Sequence, residues 1–270
     1  MVPDTVWHYT RYSAFQSILT SQRLWATSVF KMEDKTEIHY GASLVKEALS
    51  ELDATGELPK SKSLWFRNTK FVTSHIDNTF ALSTSPRVDS DHQWKNYADR
   101  GQGVAFSLST RSRLHDASPE NGVRFHRSGP MAPGWYPIEY GWRNQVNMVK
   151  RAILDGPSFA AQGGKSARAI NILLPLRTTL ALLKHPYYSS EEEVRFLYSM
   201  DPSVADVLKR SDTGAPFVPL VSVKNEFPWS PQPLAISEVR LGEDFRGSKD
   251  EVRALLKKAG LDNCTISRAG

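Results

Sequence analysis

Cysteine is almost absent: Cys264 is the single one in 270 residues. That excludes an internal disulfide and any zinc site built on several thiolates, and it fits a reducing cytoplasm. Long hydrophobic runs are missing too. The longest apolar stretch, Ile170 to Leu183, is broken by Asn171, Pro175 and Arg177, so no membrane span of about 18 or more residues is predicted. The opening Met-Val-Pro-Asp-Thr-Val-Trp-His has neither the basic start nor the apolar core of a signal peptide, which argues against export by that route and for a cytoplasmic protein. The seven histidines are scattered, with no HxxxH or HExxH pair, and no GxSxG elbow occurs, so neither a metal nor a serine nucleophile is expected. A glycine-rich phosphate loop is also missing. Gly101-Gln-Gly103 precedes a predicted strand, whereas the dinucleotide fingerprint must follow a strand and open a helix. The formal charge of +5 is spread over mixed Lys, Arg, Asp and Glu without a basic block, a field that favours an anionic partner only mildly.

What is present is enough apolar content, 40%, to bury a full core in one domain over residues 1–270. Residues 6 to 10 read as a short strand. Phe15, Ile18 and Leu19 recur at helical spacing behind Ser13 as a cap, and Leu24 to Ser28 follows as a strand. Ile38, Ala42, Val45, Ala48, Leu49 and Leu52 form a helical stripe of about four turns. Strands are predicted at 80–83, 104–108, 123–125, 138–142, 194–198, 220–223 and 236–241. Helices are predicted at 93–98, 144–154, 167–184 and 249–259. The order is not a strict βαβ alternation, which predicts an α+β architecture rather than a doubly wound parallel sheet.

Two constellations carry candidate chemistry. Alternation in the first strand turns His8 and Thr10 to one face and Trp7 and Tyr9 to the other. An imidazole beside a hydroxyl can hydrogen-bond a ribose and its attached amide; the alternative is a His that satisfies a turn and a Thr that caps it. In Glu191-Glu192-Glu193-Val194-Arg195-Phe196 the same alternation places Glu191, Glu193 and Arg195 together, with Val194 and Phe196 packed behind. A carboxylate there can stabilise positive charge on a ribose carbon as a glycosidic bond breaks. Mutual repulsion between the carboxylates would raise one of them, and Arg195 would hold either the carboxylates or a diphosphate. The plainer alternative is a solvated acidic turn with an Arg counter-ion. His8 and Glu193 are expected on neighbouring strands, facing one pocket. Between them Trp94, Tyr97 and Ala98 share a helical face, which is either core or an aromatic platform for a ring.

These segments resemble a widespread bacterial family of unknown function, domain family 2971. The resemblance rests on His8-Tyr9-Thr10, Ile18-Leu19 and Leu24-Trp25; on Asp34 and Glu37; on Trp94, Tyr97, Ala98 and Gly103-Val104-Ala105. It continues in Lys184-His185-Pro186 before Glu191, Glu193 and Arg195, and closes at Leu241-Gly242. That family looks like a distant branch of the ADP-ribosyltransferases, which implies a split, twisted β-sheet with flanking helices that grips NAD in a central cleft. The resemblance implies that Glu193 is the catalytic carboxylate and that His8, Tyr9, Thr10, Trp94, Tyr97 and Arg195 lie on the NAD side, with Glu191 toward the acceptor. His8 and Thr10 would meet the nicotinamide-side ribose and amide. Tyr97 would stack on nicotinamide, in competition with Tyr9, Trp25 and Trp94. The implied reaction is transfer of ADP-ribose to a protein or nucleic acid, in the manner of a toxin or phage-defence effector; the alternatives are an NAD glycohydrolase and a non-catalytic nucleotide- or protein-binding module.

Overall fold

The structure, a computed structural model, describes residues 1–29, 35–58, 79–116, 133–155, 175–199, 208–209, 214, 216–224 and 230–270, with backbone alone at 35–38 and 208–209. The chain is an α+β protein built on two mainly antiparallel sheets.

The first sheet has the order β1-β4-β11-β12: β1 (Thr5–Thr10), β4 (Val104–Ser109), β11 (Glu238–Leu241) and β12 (Thr265–Arg268). Only β11 and β12 run parallel in it. Its centre is welded by close backbone contact at Gly103, where an added Cβ would stand 2.3 Å from the Thr10 carbonyl oxygen. Only glycine admits that approach. The second sheet contains β10 (Pro231–Gln232), β9 (Pro216–Val223), β2 (Leu24–Ser28), β3 (Thr79–Thr84), β7 (Val194–Ser199) and β6 (Gly134–Pro137) in that order. Two further strands, β5 (Arg113–Asp116) and β8 (Leu208–Lys209), also pair with β9.

Alternation along these strands sets two apolar layers. Val6, Phe106, Val239 and Leu241 of the first sheet face Leu24, Ala26, Phe80, Leu82, Phe196 and Val218 of the second and form the main core. Helix α1 (Tyr12–Ser21) adds Phe15 and Leu19 to it. The helix opens at Arg11, not at a Ser13 cap: Tyr12 is drawn edge-on against Phe245 at 4.9 Å, and Ser13 falls inside the first turn. On the other face of the second sheet, Ala81 and Leu197 pack with Ala181 and Leu182, just after a helical segment at 175–180. Beyond lie α2 (Lys35–Thr55) and α4 (Trp142–Asp155), joined through Leu44, Val45, Leu52, Val146, Val149 and Ile153, with Leu176 and Leu180 in the same cluster. The short α3 (Asp91–Tyr97) packs on β1 of the first sheet, and α5 (Lys249–Lys258), opened by a Ser248/Glu251 capping box, precedes β12. No helix among the described residues is long and apolar enough to cross a membrane.

The predicted strand at 138–142 is the clear misplacement. Glu139 makes only an isolated bridge to Leu183, and α4 begins at Trp142. Its own side chains turn the segment: Glu139 Oε1 accepts from Gly141 N at 2.6 Å, and the Gln145 amide donates to the carbonyls of Glu139 and Lys184 at 2.5 and 2.7 Å. These bonds tie the start of α4 to Glu139 and Lys184, a link that alternation alone does not reveal. The predicted strand at 123–125 and the first part of the predicted helix at 167–184 lie outside the described residues; in the latter, regular helix is described over 175–180.

The two sheets meet at β3. Along Thr27 and Ser28 its flank pairs with β2. Further on, Ser85 exchanges both backbone hydrogen bonds with Trp7 of β1, at 2.7 and 2.9 Å. Between these points the flank of β3 is a fork, and Ser83 stands in it.

Candidate functional site

His8 fills the fork. Its Nδ1 lies 3.0 Å from the Ser83 carbonyl oxygen, which only accepts, so the proton sits on Nδ1 and Nε2 remains an acceptor. Burial lowers the imidazole pKa below its ordinary value, more than the Ser83 bond raises it. A neutral ring results at pH 7. Phe106 meets it edge-on at 5.3 Å, and Thr10 shares its partly buried side of the strand. Trp7 and Tyr9 point the other way, as alternation requires, into a separate cluster with Trp94, Ala98 and Ala105.

Tyr9 is therefore a packing residue in this conformation. Its hydroxyl donates to the carbonyls of Arg87 and Val88 at 2.8 and 2.7 Å, and burial pushes its pKa up to about 12. Trp94, 9% exposed, stands edge-on to Tyr9 at 5.0 Å. Tyr97 is 46% exposed. Of the face expected for Trp94, Tyr97 and Ala98, Trp94 and Ala98 pack together in that cluster, whereas Tyr97 lies outside it.

On the other side of β3, Glu191, Glu193 and Arg195 come together as expected, but not as one strand. Pro186 to Glu191 is a 3-10 turn, Glu192 is left-handed at φ 45°, and β7 starts only at Val194. The left-handed residue throws Glu192 out to an exposed ion pair with Arg87 and lets its two neighbours turn inward. There they meet Lys184, whose Nζ lies 2.5 Å from Glu191 Oε2 and 3.3 Å from Glu193 Oε2. Arg195, 1% exposed, donates to both oxygens of Glu193, at 2.6 and 2.9 Å, and to the Ala181 carbonyl at 2.9 Å. The Tyr140 hydroxyl accepts from Glu193 N at 3.0 Å, and the Gln93 amide donates to the Glu191 carbonyl at 3.3 Å. At the outer edge, His92 Nε2 is 3.7 Å from Glu191 Oε1.

The expected carboxylate repulsion is overturned by Arg195 together with the inserted lysine. Burial alone would raise Glu193, but the charges of Arg195 and Lys184, with hydrogen bonds from Arg195 and the Ser83 hydroxyl, hold it at about 2. A depressed carboxyl contributes stability that is full above the ordinary value of 4.5 and is lost as the pH falls toward 2. The contribution is on the order of 3 kcal/mol. In a Tm-against-pH series, the wild type is expected to lose stability over that window more steeply than Glu193→Gln; parallel curves would show that Glu193 is not held ionised by the fold.

His8 and Glu193 thus do not sit on adjacent strands. The strand β3 stands between them, and both touch Ser83: His8 takes its carbonyl and Glu193 its hydroxyl. His8 approaches from the core between the sheets, and Glu193 from the helix-covered face, so the two do not face the one pocket expected for them. Ser83, Lys184, His92, Gln93 and Tyr140 were not marked as site residues by the sequence. Only Lys184 left a signal, in the Lys-His-Pro that leads into the turn.

The model of a protein family of unknown function, DUF2971, matches residues 93–196. No curated protein matches the chain. No solved structure matches it either.

Proposed function

From a DUF2971 segment that runs from Gln93 of α3 to the buried ion cluster at Glu193 and Arg195, we propose that the chain is an NAD-dependent ADP-ribosyltransferase on an ADP-ribosyltransferase-like split sheet. The observation that supports this reading best is Ser83, held by a neutral imidazole on one atom and by an ionised carboxylate on another. A carboxylate fixed in its charged form among buried groups is suited to stabilising the cation that develops on the ribose carbon as nicotinamide departs. The acceptor, a protein or a nucleic acid, would attack the ribose carbon and give up a proton, so that nicotinamide and an ADP-ribosylated product are formed.

A second reading has its own support. Both oxygens of Glu193 are already bonded to Arg195, and the side chain is 5% exposed. A non-catalytic binding module in which the cluster only braces the fold would look the same. Nicotinamide release from NAD separates the two: the transferase reading expects release by the purified protein, and a complete lack of it with and without candidate acceptors would favour the module. Mass spectrometry of the acceptors then distinguishes transfer from hydrolysis, in which water takes the acceptor's place.

A further inference from the structure

Arg177 is 3% exposed, and among the described residues its side chain has no ion-pair or hydrogen-bond partner. Its Nε is fully buried and unbonded. Burial lowers its pKa to about 10, so the guanidinium is still charged at neutral pH. A buried charge left in that state is strongly unfavourable unless an opposite charge meets it. Every other buried cation of the region has one: Lys184 meets Glu191, and Arg195 meets Glu193.

The position of Arg177 narrows what the missing group can be. Leu176 and Leu180 of the same helical segment enter the cluster between α2 and α4. Arg177 lies one turn before Ala181, whose N–H it receives at 3.0 Å, and Ala181 packs against Ala81 and Leu197 of the second sheet. Residues one turn apart share a helix face, so Arg177 belongs to the layer between helix and sheet. Alternation along β3 puts Thr79 on the same sheet face as Ala81. Thr79 is fully buried, and its hydroxyl also has no hydrogen-bond partner. A charged planar donor and an idle hydroxyl in one layer suit an oxyanion, which takes several hydrogen bonds from a guanidinium at once.

We propose that Arg177, with Thr79, holds a phosphate-type oxyanion between the helical segment 175–180 and the second sheet. The proposal does not depend on the transferase reading.

Thermal unfolding in phosphate against chloride at equal ionic strength tests it, with ADP as a second arm, on wild type and Arg177→Met. At about a hundred-fold excess over Kd the wild type is expected to gain about 5–10 °C. Arg177→Met is expected to gain nothing and, in chloride, to melt no lower than wild type, because an uncompensated charge has gone. A response to phosphate identifies free phosphate as the source; a response to ADP alone identifies a nucleotide phosphate. No gain in wild type with either anion, or the same gain in Arg177→Met, overturns the proposal. If Arg177→Met does not fold, Thr79→Val with line broadening of the phosphorus resonance decides it: binding weaker than wild type supports the site, and equal binding or none in wild type rejects it.

Discussion

Arg195→Met is expected to destabilise the folded chain by about 3–5 kcal/mol, the usual cost of removing one partner from a buried ion pair. The cluster holds two cations, Lys184 and Arg195, against two carboxylates, Glu191 and Glu193. Without Arg195, Glu193 keeps Lys184 at 3.3 Å and the Ser83 hydroxyl, and the Ala181 carbonyl loses the Arg195 donor. The charge left over is buried, and water cannot screen it. The denaturation midpoint is the measurement. Removing both partners in Glu193→Leu/Arg195→Met is expected to cost less than the sum of the two single variants, since no charge is then stranded. Additive costs would mean that the pair contributes no coupling.

The second large effect is on turnover. Glu193→Gln keeps the shape and hydrogen-bonding capacity of the side chain but removes the negative charge. If that charge stabilises the cation developing on the ribose carbon by about 3–4 kcal/mol, nicotinamide release should fall about 100- to 1000-fold. The substitution also leaves Arg195 and Lys184 with one carboxylate between them. Rates must therefore be compared well below both unfolding transitions. Glu192→Gln is the control: its partner Arg87 is exposed, and neither rate nor Tm should move appreciably. Equal rates for wild type and Glu193→Gln would remove Glu193 from the chemistry. A large loss in Glu192→Gln alone would reverse the assignment of the two carboxylates.

Much of the framework was legible because its elements follow from local periodicity. The strand at Leu24–Ser28 and the stripe through Val45, Ala48, Leu49 and Leu52 need only a buried face to form. The segment 138–142 was not legible, because its outcome depends on the Gln145 amide reaching the carbonyls of Glu139 and Lys184. At the site, the inward turn of Glu191, Glu193 and Arg195 was readable from spacing. The sign of the Glu193 shift was not, since it needs Lys184, nine residues away, and the Ser83 hydroxyl in addition to Arg195. Nor was Tyr97 readable as exposed: its spacing from Trp94 suggested one face, but only Trp94 and Ala98 enter the cluster with Tyr9. Ser83 carried no signal, because its role comes from where two sheets part rather than from any run of neighbours.

A crystal structure of the protein with NAD tests the central claim most directly, because it asks whether the fork at Ser83 and the cluster at Glu193 serve one ligand. The account expects the nicotinamide-side ribose on the helix-covered side of Ser83, with a Glu193 oxygen released from Arg195 to face the ribose carbon. NAD bound away from Ser83, with Glu193 still closed on Arg195, would contradict it.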